Sequence, residues 1–153
     1  MVITRQALIA ERTAQAIWAG TLSSGHGSVR SGTGAIDDLP VTWATRIGPS
    51  NGKTSPEELA AAAHASCFSM ALALRLGEHG VAPERLDVTA SVSLGQVQGR
   101  PTVLSSTLSV SARVPELDAT DFRAIVDEAA ELCPISLLFA GAEITVDAWL
   151  VLS

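Results

Sequence analysis

The chain has 153 residues, 47% hydrophobic and 17% charged, and a formal net charge of −6 at pH 7. That describes one domain with a core of its own and excludes a disordered chain, which would combine few apolar residues with a high net charge. Ten basic residues, spread singly, face 16 acidic ones, so the clustered basic face of a nucleic-acid binder is missing. Residues 1–11 read as a loose or helical extension ahead of a domain at 12–153. Arg5, Glu11 and Arg12 interrupt the start, leaving no apolar stretch of signal-peptide length. The expected compartment is therefore the reducing cytoplasm.

From Arg12 onward, RTAQAIWAG, GHGSVRSGTG and LPVTWATRI are β-prone runs broken by Gly, Asp and Pro, which predicts antiparallel strands and turns. Gly25, Gly27, Gly32 and Gly34 lack the GxxxxGK[ST] pattern of a phosphate loop, so they read as hairpin glycines. GPSNGKT, Gly48 to Thr54, is a loop. A long helix follows, with Ser55 as N-cap, Pro56 at the first position and Glu58 completing a capping box. Gly77 and Gly80 are its stop candidates. Its run LAAAAHASCFSMALAL (Leu59–Leu74) is shorter than the roughly 20 residues of a bilayer span and contains His64. It is apolar nearly all round, which predicts cover on both faces from a sheet or a second subunit.

Leu86, Val88, Ala90, Val92 and Leu94 alternate with polar residues, and after QVQGRP so do Leu104, Leu108, Val110 and Ala112. That is a hairpin with one wet face. A second helix spans Asp118 or Thr120 to Leu132, with Phe122, Ile125, Val126, Ala129 and Leu132 on its apolar stripe. Pro134 ends it, PISLLFAG makes a short further helix, and Glu143–Leu152 is a closing strand. The order is strands, helix, strands, helix, strand, hence an α+β fold rather than a parallel βαβ array.

Two cysteines, Cys67 and Cys133, are too few for a disulfide scaffold and enough for a redox pair. Cys67 lies about ten residues inside its helix, beyond reach of the macrodipole, so a thiolate there needs a cationic side chain from elsewhere in the fold. Inert buried thiols remain the alternative. His64, three residues before Cys67, could form a Cys–His hydrolase dyad, although a core histidine is the simpler reading. A metal site from His64, Cys67 and Cys133 lacks a fourth protein ligand. Trp18, Trp43 and Trp149 read as core or interface aromatics.

TSPEELAAAAHASCFSMALALRLGEHG (Thr54–Gly80), the later CPISLLFAGAEITVDAWL (Cys133–Leu150), VTWATRIG (Val41–Gly48) and the Gly-rich stretch after IWAG together resemble the OsmC/Ohr family of thiol-dependent peroxidases, and its OsmC branch more than its Ohr branch. The resemblance covers roughly residues 12–152. It implies an OsmC-like fold, antiparallel sheets around a long central helix in an intertwined homodimer. It also implies reduction of organic hydroperoxides, with hydrogen peroxide as a second substrate, without metal or bound cofactor. On matching residues, Cys67 would be the peroxidatic cysteine and Cys133 the resolving one, joined as a Cys67–Cys133 disulfide. Arg46 would stabilise the thiolate and polarise the peroxide, and Glu57 would orient Arg46. The reductant would be a dithiol of lipoyl type; no nucleic-acid or membrane partner is implied. Leu132 stands where the family often has Gly or a small polar residue, which would leave Cys133 less exposed. The rival class is a non-catalytic OsmC-like binding or stress protein with inert thiols.

Glu57 and Cys67 are ten residues apart, about 15 Å along a continuous helix. Glu57, Arg46 or both are therefore expected to serve the cysteine of a second subunit, placing the active site at a dimer interface.

Overall fold

The computed structural model describes residues 6–152, which form two compact units divided between Ser55 and Pro56. Residues 6–13 are exposed and carry no regular structure; the rest of the expected N-terminal extension, residues 1–5, lies outside the described residues.

In the first unit, β1 (Ala14–Ala19), β2 (His26–Ser31) and β3 (Leu39–Val41) form an antiparallel sheet in the order β1-β2-β3. Trp18 lies opposite Gly27. A Cβ on Gly27 would come within 2.6 Å of the Ile17 carbonyl oxygen and 2.8 Å of the Trp18 ring, so only glycine allows the indole to cross the neighbouring strand there. Every residue of β1 is exposed, Ile17 and Trp18 among them.

The expected third strand is shorter than LPVTWATRI. After Val41 the chain turns into a five-residue helix, α1 (Trp43–Ile47). Thr42 caps it, its Oγ1 accepting from the Thr45 backbone N–H at 3.1 Å. That local bond offers the backbone an alternative to the sheet and overrides the β preference of Val, Thr and Trp. The loop that follows turns at Asn51 and Gly52, both with positive φ.

The second unit is built on α2 (Pro56–Glu78), which starts at the proline predicted to open it. It ends at the second of the two candidate glycines. Gly80 takes a φ of +75° while Val81 N–H reaches back to the Leu76 carbonyl and Gly80 N–H to Gly77, a left-handed cap that satisfies the last carbonyls. Gly77 stays inside the helix. β4 (Arg85–Val97) and β5 (Arg100–Arg113) form the predicted hairpin, turning on Gln98 and Gly99, both with positive φ. α3 (Ala119–Leu132) is capped by Asp118, whose carboxylate accepts from Asp121 N–H at 2.8 Å. α4 (Pro134–Leu138) and β6 (Glu143–Leu150) complete the unit.

The sheet order is β4-β5-β6, and the β5–β6 pair is parallel. The expectation of purely antiparallel sheets is corrected here. α3 and α4 carry the chain from the end of β5 back to the start of its neighbour, the crossover a parallel pair requires. The α+β class stands.

The core joins α2 (Phe68, Leu72, Leu76), β5 (Leu108, Val110, Ala112), α3 (Phe122, Ile125, Val126, Ala129) and Cys133. On α2 the buried positions Glu57, His64, Phe68, Ala71, Leu72 and Leu76 make one stripe. The opposite side is open, with Met70 72% exposed and Leu74 53%. The expected cover on both faces is thus not supplied among the described residues. By length and composition alone α2 could cross a bilayer; here it packs on β4, α3 and α4 as the central helix of its unit. Trp18 and Trp149 are exposed rather than core, and Trp43 is half-buried.

Candidate active site

Two elements of the second unit meet at the cysteines. Cys67 lies on α2 beside the buried stripe, half-buried one position before Phe68. Cys133 sits at the joint between α3 and α4. Pro134 disfavours helical geometry in the residue before it, and Cys133 takes φ −63°, ψ 113°. The chain bends there, and the buried Cys133 Sγ comes to 3.4 Å from Cys67 Sγ, both thiols being free. Cys133 is fully buried, in line with the bulk of Leu132 before it.

The surroundings treat the two sulfurs differently. Burial pushes the Cys67 thiol up, aided by the hydrogen bond and charge of Cys133 and opposed by the Ile135 backbone N–H. At Cys133 burial also acts upward, but the Ser136 side chain and backbone, Cys67 and the Ile135 backbone together outweigh it and draw that thiol down. Sulfurs this close titrate as a pair, and one negative charge is the most the site readily holds.

His64 is fully buried on α2. Its Nδ1 lies 2.6 Å from Ser106 Oγ on β5 and its Nε2 2.8 Å from Ser136 Oγ on α4; the Phe139 ring meets it edge-on at 5.1 Å. Burial lowers its pKa and keeps it neutral. With both nitrogens occupied it is the satisfied core histidine anticipated, and a Cys67–His64 dyad does not form. No group of three or more metal-ligating side chains occurs among the described residues.

Glu57 is buried in the first turn of α2, and α2 continues unbroken to Cys67, so about 15 Å of helix separates them. Arg46 is in the first unit, in the last turn of α1, its guanidinium 5.8 Å from the centre of the Trp43 ring. The structure thus brings Cys67 and Cys133 together, with Glu57 ten residues before Cys67 on the same helix and Arg46 on α1 of the first unit. The residues missed in the sequence are Ser106 and Ser136. The signal for Ser106 was its phase: period two counted back from Leu108 puts it on the inward face.

Two free thiols in contact, one half-exposed and one buried, make up the candidate active site. A family model described as OsmC-like protein matches residues 48–148, and the chain belongs to that family. It is 42% identical over 133 residues to peroxiredoxin OsmC of Escherichia coli, covering 87% of this chain and 92% of that protein. It is 29% identical over 101 residues to an organic hydroperoxide resistance protein of Xanthomonas axonopodis, covering 65% of this chain and 69% of that one. The crystal structure of the organic hydroperoxide resistance protein OhrB of Bacillus subtilis superposes with a TM-score of 0.72 at 25% identity, over 90% of this chain and 98% of that one. The enzyme class is that of the Cys-based peroxidases.

Proposed function

We propose that the chain reduces organic hydroperoxides to alcohols, with hydrogen peroxide as a second substrate, in oxidative and osmotic stress defence. The Cys67 thiolate attacks the O–O bond, the alcohol leaves, and Cys67 becomes a sulfenic acid. Cys133 displaces its oxygen as water, forming the Cys67–Cys133 disulfide, which a dithiol of lipoyl type reduces. The observation that carries this reading is the 3.4 Å approach of the two free sulfurs.

Burial raises the Cys67 thiol, so reactivity at neutral pH calls for a cation. Arg46 is assigned that role and the polarisation of the peroxide, with Glu57 orienting the guanidinium through a charge-assisted pair. The helix length between Glu57 and Cys67 favours a site completed across a homodimer. So do Met70, Leu74, Leu137 and Leu138, large apolar side chains left exposed. A reducing compartment, the cytoplasm, suits a disulfide that must cycle.

The test is a mass measurement after one equivalent of cumene hydroperoxide. Loss of two hydrogens mapped to Cys67–Cys133 is expected; an unchanged mass would sink the mechanism. A catalytically competent monomer, seen by gel filtration at falling concentration with an activity assay, would sink the shared site. The rival reading, a ligand-binding protein with inert thiols, draws on the full burial of Cys133. It wins if no alkyl peroxide consumes thiol.

A further inference from the structure

The proposed reaction leaves one buried polar chain unused: Ser106 on β5, His64 on α2 and Ser136 on α4, linked at 2.6 Å and 2.8 Å. His64 and Ser106 are fully buried and Ser136 is 9% exposed. Three apolar side chains of like volume would fill the space without desolvating any polar group. The chain also ends at a particular place. Ser136 is three residues after Cys133, in the first turn of the helix that Cys133 precedes, and His64 is three residues before Cys67 on the other partner's helix. The imidazole therefore ties together the two elements whose sulfurs must meet.

A neutral imidazole has one donor nitrogen and one acceptor, so its two serines play opposite parts. With the hydrogen on Nε2, Ser106 donates to Nδ1 and Ser136 Oγ accepts from Nε2. The Ser136 hydroxyl hydrogen is then free for a third group. With the hydrogen on Nδ1, that hydroxyl is consumed by Nε2. The first arrangement leaves a donor available to the sulfur of Cys133.

We propose that His64 is a positioning residue for the resolving step: through Ser136 it holds α4 against α2 and turns the Ser136 hydroxyl toward Cys133 Sγ, presenting that sulfur to the Cys67 sulfenic acid. This rests on the peroxidase reading above. The step balances as Cys67–SOH plus Cys133–SH giving Cys67–S–S–Cys133 plus water. The Cys133 proton leaves with the departing oxygen, and Ser136 stabilises the negative charge that develops on Cys133 before the S–S bond closes. The Ser136 side chain is also the foremost influence opposing burial at Cys133.

The experiment separates attack from closure. Reduced protein receives one equivalent of cumene hydroperoxide and is quenched over time with dimedone, which traps sulfenic acid; mass spectrometry follows the Cys67 adduct and the disulfide. In Ser136→Ala the ratio of closure rate to attack rate is expected to fall about tenfold or more, the scale of one hydrogen bond to a charged acceptor. His64→Gln should lower the ratio in the same direction, since its amide reaches the serines less well. Ser136→Thr, which keeps the hydroxyl, should return it to within about threefold of the parent, the remainder of a hydrogen bond of imperfect geometry. An unchanged ratio in Ser136→Ala overturns the inference. So does an equal slowing of both steps that Thr fails to rescue, the mark of a merely structural serine. If the parent chain itself gives neither adduct nor disulfide, the peroxidase reading falls and takes this inference with it, a failure visible without any variant.

Discussion

Oxidising the thiol pair should stabilise the protein, and the size of the effect can be worked from the fold. The sulfurs are 3.4 Å apart in the free-thiol state and a disulfide needs about 2.05 Å, so closure requires a movement of roughly 1.4 Å, small against the breadth of disulfide geometries. Cys133 is embedded in the core and Cys67 packs against it, so neither end must be ordered for the bond to form. The two positions are 66 residues apart, and a cross-link closing a loop of that length removes about 4 kcal/mol of unfolded-state entropy. Drawing α4 toward α2 disturbs the His64–Ser136 hydrogen bond, an offset of about 1 kcal/mol. A net gain of about 3 kcal/mol remains, roughly 6–12 °C in Tm for a chain of this size. Urea and thermal unfolding of reduced and peroxide-treated protein would read it, at one fixed protein concentration because subunit association also shifts the midpoint. Cys67→Ser under the same peroxide is the control and should not move. An oxidised form no more stable than the reduced one would refute the reasoning: the sulfurs would then meet only by straining the helices that carry them.

Arg46→Ala should lower cumene hydroperoxide turnover by about 10²–10³, the scale of removing one preorganised electrostatic group. Arg46→Lys should recover little of it, since an ammonium lacks the planar fork; circular dichroism would check that the fold survives. Cys133→Ser should still consume the first equivalent of peroxide and then stall, with Cys67 gaining a second oxygen as sulfinic acid in excess peroxide, seen by mass. The folded state depresses the His64 pKa below its ordinary value of 6.5. The unfolded chain therefore binds that proton more readily, and stability is lost as pH falls from about 6.5 toward the folded value. Urea midpoints at pH 7.5 and pH 5.5 should differ less in His64→Gln than in the parent, and an equal difference would count against a buried neutral His64.

α2, α3 and α4 were legible in the sequence because their signals are local. Ser55, Pro56 and Glu58 announce α2 through the geometry of a helix start, and the alternating runs on either side of QVQGRP announce the hairpin. The five-residue α1 was not, since Thr42, Trp43 and Thr45 favour strands and only the Thr42 cap reverses that preference. Nor was the parallel pairing of β6. A strand alternates with period two in either direction, and β6 meets β5 only after two helices have packed. At the site, a spacing of 66 residues says nothing about contact. Cys67 and Cys133 were found through the motifs around them, whereas Ser136 and Ser106 read as ordinary polar positions until the fold put His64 between them.

In the proposed cycle, the choice of attacking sulfur would be made outside the pair. Within the second unit burial raises the Cys67 thiol, while Ser136 and the Ile135 backbone draw Cys133 down, so local forces favour charge on the sulfur that peroxide reaches least. Cys133 is fully buried and Cys67 half-exposed. Access and ionisation therefore point to different cysteines, and a cation at Cys67 reconciles them by moving the shared negative charge to the accessible sulfur. The same division orders the cycle. In the proposed cycle Cys67, once a neutral sulfenic acid, would no longer compete for the charge, and the hydrogen bonds at Cys133 would then favour its thiolate as nucleophile. An inert buried pair would need neither the asymmetry nor the polar chain that ends beside Cys133.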